Sequence, residues 1–106
     1  MDIDSIVNHC EGFQWDHGNN LKSWLKHHVS EGEAEQVFFN EPLLLLEDER
    51  HSRQEKRYLA LGYTDHARLL LIVFTVRKDL IRVISARDAN KKEKNAYEKF
   101  KTDPKI

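Results

Sequence analysis

Hydrophobic and polar residues follow a helical spacing in the first third of the chain and an extended spacing after it. Asp16 stands where a helix N-cap would. Behind it an apolar stripe recurs at i, i+3, i+4 and i+7, formed by Leu21, Trp24, Leu25 and His28. This spacing predicts an amphipathic helix, with Lys22 and Lys26 on a flank beside the stripe.

Two further elements are predicted around that helix. The alternation of Phe13, Gln14 and Trp15 indicates a short strand before it, whereas the residues ahead of Phe13 show no clear period. Ser30 and Glu33 fit a capping box, in which each side chain satisfies the other residue's backbone amide. A second short helix should follow, burying Ala34, Val37 and Phe38.

Beyond the break at Pro42 the pattern becomes that of strands. Four strands are predicted, the first of them buried on both faces, at Leu43–Leu46, Arg57–Thr64, Arg68–Val76 and Leu80–Ser85. Asp88 can cap a final helix. One side of that helix would present Ala89, Glu93, Ala96, Tyr97 and Phe100.

The predicted order is therefore β-α-α-β-β-β-β-α, which is typical of an α+β protein with a small, mainly antiparallel β-sheet packed by three helices. The chain has 106 residues and a mass of 12.5 kDa, enough for one domain. We expect that domain to span residues 13–100. Residues 1–12 would form an N-terminal lead-in, and residues 101–106 a flexible C-terminal tail.

The net charge excludes few function classes, but the charges are unevenly distributed along the chain. The whole chain is nearly neutral, with 17 basic and 18 acidic residues, which argues against a uniformly basic nucleic-acid coat. Residues 31–55 hold eight acids and two bases, however, and residues 82–106 hold eight bases and four acids. No apolar run approaches the ~20 residues of a membrane-spanning helix, and no secretory signal is visible. We therefore expect a cytoplasmic protein without a membrane partner.

Several familiar catalytic signatures are missing. The sequence has no glycine-rich phosphate loop, no Gly-x-Ser-x-Gly elbow and no His-Glu-x-x-His pair. Its six histidines are not paired at ligand spacing, and Cys10 is the only cysteine. We expect neither a metal nor an organic cofactor, and we interpret Cys10 as an incidental thiol.

The suggestive residues are polar and lie in the second half of the chain. Arg82 falls inside an apolar strand, so it is either half of a salt bridge, for example to Glu55, or the seat of an anion. Arg57 begins a strand, and Arg87 precedes a helix whose free amides also favour anions. Guanidinium groups suit phosphate, and the imidazole of His51 is a natural proton-transfer group. Taken alone, His51 would be interpreted as an exposed loop histidine.

A set of motifs spread from Phe13 to about Phe100 resembles a known family. They are Phe13-x-Trp15-Asp16, Asn19-x-x-Lys22, Lys26-His27-x-Val29-Ser30, Glu33-Ala34-x-x-Val37-Phe38, Pro42-Leu43, His51-Ser52-x-x-Glu55-x-Arg57, Leu61-Gly62, Arg68-Leu69-Leu70, Ile81-Arg82-Val83-Ile84-Ser85-Ala86-Arg87 and Lys92-Glu93-x-x-x-Tyr97-Glu98. On these residues the chain resembles the BrnT toxins of type II toxin–antitoxin systems. It departs from the family at His28, where many members carry glycine, and at Ser23, where asparagine is common.

The resemblance implies a RelE-like fold and a metal-independent endoribonuclease that acts on RNA. It also implies neutralisation by a cognate BrnA-like antitoxin with a ribbon-helix-helix domain. DNA would then be contacted only indirectly, through that antitoxin. None of these properties follows from composition or spacing.

The resemblance also assigns roles for attack of a ribose 2′-hydroxyl on the adjacent phosphorus. His51 would be the acid or base, with Glu55 as its partner or as the base itself. Arg57, Arg82 and Arg87 would clamp the phosphate. Substrate would be held by Lys22, Lys26, Lys91, Lys92 and Tyr97. Two alternatives stay open at this point: Glu55–Arg82 as a purely structural pair, and Tyr97 as a core residue.

A rival reading from another class is a non-catalytic module that binds RNA or the antitoxin with the same arginines. The presence of His51 and Glu55 favours the enzyme. A DNA-binding regulator is disfavoured, because no predicted helix combines a basic face with a tight turn into a second helix.

Overall fold

The computed structural model describes residues 2–51 and 54–102, and of His51 it describes the backbone only. In chain order the elements are α1 (Ile3–Asn8), β1 (Gly12–Trp15), α2 (His17–His27), α3 (Glu31–Phe39), β2 (Leu44–Glu47), β3 (Tyr58–Tyr63), β4 (Leu69–Arg77), β5 (Leu80–Asp88) and α4 (Lys91–Thr102). A single 3-10 turn at Glu49–His51 lies between β2 and β3. Apart from α1, this is the order that the sequence predicts, and the α+β class is confirmed.

The strands form one sheet in the order β1-β5-β4-β3-β2, antiparallel except where β1 pairs with β5. The turn between β4 and β5 fixes the register at its centre. Lys78 and Asp79 both have positive φ, at 50° and 62°, as a two-residue type I′ hairpin turn requires. Arg77 therefore pairs with Leu80, and Thr75 pairs with Arg82.

One face of the sheet carries the larger core. Leu70, Ile72 and Phe74 of β4 are fully buried there, under α3 and α1. Gly62 permits the close approach of α3, because a Cβ at that position would lie 3.2 Å from Val37. The α1 segment, which the sequence analysis treats as a lead-in without an element, packs Ile3, Ile6 and Val7 against this core.

The opposite face is only half covered. Helix α4 lies over one end of β3 and β4, where Tyr97 packs with Leu61, Leu69 and Leu71. Over the other end of β4 and β5, from Thr75 to Arg77 and at Arg82, no helix of the described residues lies. An open patch of sheet therefore remains beside a covered one.

Helix α2 runs along the edge of β5 after β1 ends. Asp16 caps its first turn by accepting hydrogen bonds from the amides of Gly18 and Asn19 at 2.9 and 3.1 Å. The residue that α2 buries against the sheet is Ser23, whose hydroxyl accepts a 3.2 Å hydrogen bond from the amide of Ala86. The apolar stripe of the helix consequently faces solvent. None of the helices in the described part of the chain is long and apolar enough to cross a membrane.

Arg68 joins α2, α3 and the sheet through all five of its side-chain N–H groups. It donates to both carboxylate oxygens of Asp88 at 2.7 and 3.0 Å and to Glu33 at 3.0 Å. The two remaining hydrogen bonds go to the carbonyls of His27 and His28, at 3.0 and 2.9 Å. One side chain thus closes the end of α2 onto the start of β4.

Two local predictions need correction. The strand predicted to be buried on both faces is β2, which lies at the edge of the described sheet, and its Leu46 is 48% exposed. Asp88 does not cap α4. It ends β5 and binds Arg68, while Asn90 caps the helix through a 2.8 Å hydrogen bond to the amide of Glu93.

Replacing Arg68 with alanine should lower the free energy of unfolding by about 2 kcal/mol at neutral pH, since its hydrogen bonds to two carboxylates are lost. Hydrogen bonding from Arg68 lowers the pKa of Asp88. Burial alone would raise the pKa of Glu33, but hydrogen bonds from Ser30 and Arg68 outweigh it and lower that pKa. The stabilisation is therefore complete above the unfolded carboxyl pKa of about 4 and is lost as pH falls below it. Urea unfolding at pH 7 and pH 3 measures both effects.

The control for this experiment is Arg68→Lys, which keeps the charge but loses the forked geometry. We expect it to recover less than half of the stability lost in Arg68→Ala. Wild-type stability in the lysine variant would contradict the role of the fork. An equal loss in Arg68→Ala at pH 7 and pH 3 would contradict the ionic part.

His28 provides a second stability test. It ends α2 in the left-handed region, with φ at 54°. Glycine adopts this conformation without strain. We expect His28→Gly to be about 1 kcal/mol more stable than His28→Ala, because both lose the ring contact with Trp24 and only glycine relieves the backbone. Equal urea midpoints for the two variants would refute this.

Candidate functional site

The uncovered end of the sheet is a cleft of about 740 Å³. Four arginines and one carboxylate are among the described residues that line it. The full lining is Asn19, Arg50, Gln54, Glu55, Arg57, Thr75, Arg77, Arg82 and Ile84. Such an excess of guanidinium groups over carboxylates on an open surface favours an anionic ligand.

The strand register explains why the arginines converge. Tyr58 pairs with Phe74, so one step further along the hairpin Arg57 lies opposite Thr75. Thr75 pairs on its other side with Arg82. Arg57 and Arg82 therefore flank Thr75 in one row across three strands, about 10 Å apart at the backbone.

Arg82 is held by the first helix cap. Its Nη2 donates to Oδ2 of Asp16 at 3.2 Å, while Oδ1 of Asp16 caps α2. Hydrogen bonds from the α2 amides, led by that of Asn19, and the nearby guanidinium lower the pKa of Asp16. The carboxylate stays ionised at neutral pH and fixes one side of the guanidinium, whose side chain is 22% exposed.

Glu55, three residues before β3, pairs with Arg77 at the end of β4. The guanidinium donates to both carboxylate oxygens at 2.7 and 2.8 Å. The alternative of a Glu55–Arg82 salt bridge is therefore wrong: Glu55 binds Arg77, and Arg82 binds Asp16 instead. Hydrogen bonding from Arg77 lowers the pKa of Glu55, so this carboxylate is ionised at neutral pH.

Arg87 does not join the other predicted phosphate ligands. It lies five residues beyond Arg82 on β5 and makes two hydrogen bonds of 2.8 Å to Glu93 of α4. This pairing lowers the pKa of Glu93 and raises that of Arg87. The structure therefore places Arg87 in an ion pair between β5 and α4, outside the cleft lining that holds Arg82.

Tyr97 is also corrected, in favour of the core alternative. It is fully buried, its hydroxyl donates to the carbonyl of Pro42 at 2.6 Å, and Tyr63 packs edge-on against its ring. Burial raises the pKa of the Tyr97 hydroxyl. Its ring is not available for stacking with a base.

The predicted lysines lie outside the cleft lining. Lys22 and Lys26 are exposed on α2, on the side of the helix that carries Asn19, and Lys91 and Lys92 are exposed at the start of α4. The side chain of His51 lies outside the described residues. In the described part of the chain, no group of three or more histidine, cysteine, aspartate or glutamate residues is arranged to hold a metal ion.

Among the charged residues, sequence reasoning missed Arg50 and Arg77, which line the cleft, and the contact of Asp16 with Arg82. For Arg77 a usable signal exists. The two-residue turn at Lys78-Asp79 puts Arg77 on the same face as Arg82, two positions from Thr75. Arg50 lies in the 3-10 turn that follows β2, where no repeating pattern predicts which way its side chain points.

The fold and cleft together define a small α+β protein with a cationic site on an open sheet face. Residues 15–93 match the family described as "Ribonuclease toxin, BrnT, of type II toxin-antitoxin system". This match covers well over half of the chain, so the chain belongs to the BrnT family of ribonuclease toxins. The resemblance drawn from the sequence motifs is confirmed.

A solved structure agrees at the level of the fold. The chain is similar to the ribonuclease toxin BrnT of Brucella abortus, known from a 1.1 Å crystal structure, with a TM-score of 0.57 and 17% sequence identity. The alignment covers 76% of this chain and 97% of that one. No curated protein sequence matches the chain significantly.

The cleft should bind RNA through Arg82 and not through Arg87. With a short 2′-O-methyl RNA, which cannot undergo 2′-hydroxyl attack, Arg82→Ala should weaken binding about 10-fold through loss of a charge-assisted contact. Arg87→Ala removes the same charge outside the cleft and should stay within about 2-fold of wild type. Fluorescence anisotropy measures both, and an equal loss in the two variants would contradict the assignment.

Proposed function

We propose that the chain is a metal-independent endoribonuclease that cleaves RNA by attack of a ribose 2′-hydroxyl on the adjacent phosphate. The observation that carries this proposal is the row of Arg57 and Arg82 across Thr75 at the floor of an open cleft. Membership of a ribonuclease toxin family supplies RNA as the substrate class.

The arginines supply charge stabilisation. In this reaction the phosphate gains negative charge as the 2′-oxygen bonds to phosphorus, and fixed cations lower that barrier. Asp16 holds one side of Arg82 and leaves its remaining donors to the cleft. Arg57 approaches from the other side of Thr75, so a phosphate between them would be clamped from two strands.

Two proton transfers complete the step. The 2′-hydroxyl loses its proton as its oxygen bonds to phosphorus, and the 5′-oxygen takes up a proton as its bond to phosphorus breaks. Glu55 is the carboxylate among the described residues that line the cleft, and we assign it as the base, oriented by Arg77. His51, four residues past the end of β2 in the sequence, would then be the acid. The products are a 2′,3′-cyclic phosphate and a 5′-hydroxyl.

Outside the cleft, the proposal assigns backbone contacts to exposed lysines. Lys22 and Lys26 lie on the side of α2 that carries Asn19, and so they extend the cationic surface of the cleft. Lys91 and Lys92 add charge at the start of α4. Such contacts contribute affinity without sequence specificity.

For the partner, family membership implies a protein antitoxin. We propose that it is BrnA-like, with a ribbon-helix-helix domain that carries the DNA-binding function of the complex. This assignment is consistent with a toxin chain that is nearly neutral and whose basic residues are local.

The test is cleavage of purified RNA in EDTA by wild type and Arg82→Ala. The variant should be slower by ~10²–10³, the scale of losing one transition-state donor. Lys99→Ala is the matched control, because it removes one positive charge from the exposed side of α4. Mass spectrometry of the cut ends should find cyclic phosphate.

Each outcome separates one part of the proposal. A wild-type rate in Arg82→Ala would remove Arg82 from the site, and activity that EDTA abolishes would remove the metal-independent reaction. Cleavage of an all-2′-O-methyl RNA would exclude the 2′-hydroxyl nucleophile. If wild type binds RNA but cuts it neither alone nor on ribosomes, the chain is the non-catalytic module.

A further inference from the structure

The outward side of α2 is an apolar surface that nothing in the described chain covers. Leu21, Trp24 and Leu25 are 50%, 49% and 67% exposed, although they form the apolar stripe of an amphipathic helix. Helices of this kind usually turn their stripe to the core. Here the helix buries Ser23 against β5 and turns the stripe away.

This orientation is fixed at both ends of the helix. Asp16 caps the first turn and binds Arg82, while Arg68 binds the carbonyls of His27 and His28 at the last turn. The buried hydrogen bond between Ser23 and Ala86 fixes the middle. Rotating the stripe inward would break all of these contacts, so the exposure is a property of the folded protein.

Charge on the helix indicates what covers the stripe. From His17 to His27 the helix has no acidic residue, and Lys22 and Lys26 flank the stripe on one side. A second copy of the chain, paired antiparallel through this helix about a two-fold axis perpendicular to it, would bring the lysines of the two copies to the same side. An acidic partner would instead gain ion pairs at the rim of its apolar contact.

The same flank adjoins the cleft. At 100° per residue, Asn19, Lys22 and Lys26 lie within one side of the helix, and Asn19 lines the cleft. A partner seated on the stripe and paired with these lysines would therefore stand at the edge of the proposed RNA site.

We propose that this surface, hereafter the α2 face, is where the antitoxin docks. The occupant is an acidic amphipathic segment, whose apolar side chains cover Leu21, Trp24 and Leu25 and whose carboxylates pair with Lys22 and Lys26. Docking there neutralises the toxin by obstructing the cleft. This inference rests on the proposed function, because it takes the cleft as the RNA site and the antitoxin as the partner.

The experiment measures two quantities for each variant: affinity for the purified cognate antitoxin, by calorimetry, and the rate of RNA cleavage without antitoxin. The variants are Trp24→Ala and the double variant Leu21→Ser with Leu25→Ser. Leu46→Ser is the matched control, because Leu46 is 48% exposed on β2 at the opposite edge of the sheet from β1. Circular dichroism confirms that each variant folds.

We expect both α2 variants to bind antitoxin about 30-fold more weakly or worse, the scale of losing an interface hot spot. Their RNA cleavage should stay within about 2-fold of wild type, since none of the three side chains lines the cleft. Leu46→Ser should bind antitoxin normally. Affinity for wild type should fall as salt rises, because of the ion pairs with Lys22 and Lys26.

Other outcomes would overturn the inference in distinguishable ways. Equal antitoxin affinity in all variants would refute the α2 face and leave the proposed function intact. Failure of wild type to bind the antitoxin would refute the proposed partner itself. Slower RNA cleavage with unchanged antitoxin affinity would assign the face to RNA. A dimer in sedimentation that the double variant dissociates would assign it to a second copy, and salt-independent affinity would refute the acidic segment.

Discussion

The guanidinium of Arg68 is the contact on which the arrangement of helices and sheet depends. Its five donors reach β5, α3 and the end of α2, three elements that are distant in sequence. The last carbonyls of a helix have no partner within the helix, and leaving them unpaired beside a sheet costs free energy. By satisfying two of them, Arg68 fixes where α2 ends and how the chain enters α3 through Val29 and Ser30.

The position of α2 in turn determines the geometry of the cleft. Asp16 both caps this helix and binds Arg82, so a shift of α2 would move the carboxylate that orients the guanidinium. Several arginines on adjacent strands repel one another, and Asp16 and Glu55 reduce that repulsion without neutralising it. The result is a cationic patch that is stable in the folded protein and still has donors to spare for a ligand.

The sequence is informative where local rules act. The N-cap at Asp16, the capping box at Ser30 and Glu33, and the alternation of strands all report on near neighbours, and the structure has these features. The sequence also predicts Glu55, Arg57 and Arg82, which line the cleft. It also groups Arg87 with these residues, whereas in the structure Arg87 lies outside the cleft lining and pairs with Glu93 of α4.

The features that the sequence did not reveal depend on tertiary packing. The spacing of Leu21, Trp24 and Leu25 identifies an amphipathic helix but does not say whether core or solvent meets the stripe. The spacing around Tyr97 similarly indicates which face of α4 it lies on but not how deeply it is buried. Only its contacts with Tyr63 and with the carbonyl of Pro42 place it in the core. Strand register lies between these two cases, because it can be predicted in part. The two-residue turn at Lys78-Asp79 sets the register that aligns Arg77 with the site.

Helix α2 lies between the cleft and the apolar α2 face, to which we propose that the antitoxin binds. A toxin has to keep its RNA site open when alone and closed when bound, and a rigid site can do this if the inhibitor binds beside it. Here the lysine side of α2 adjoins the cleft and the apolar side faces away, with Ser23 holding the helix against β5 between them. Inhibition by a partner on this helix therefore requires no rearrangement of the toxin. In the proposed complex the apolar contact would come from Leu21, Trp24 and Leu25, which do not line the cleft, whereas Lys22 and Lys26 would serve both the partner and RNA.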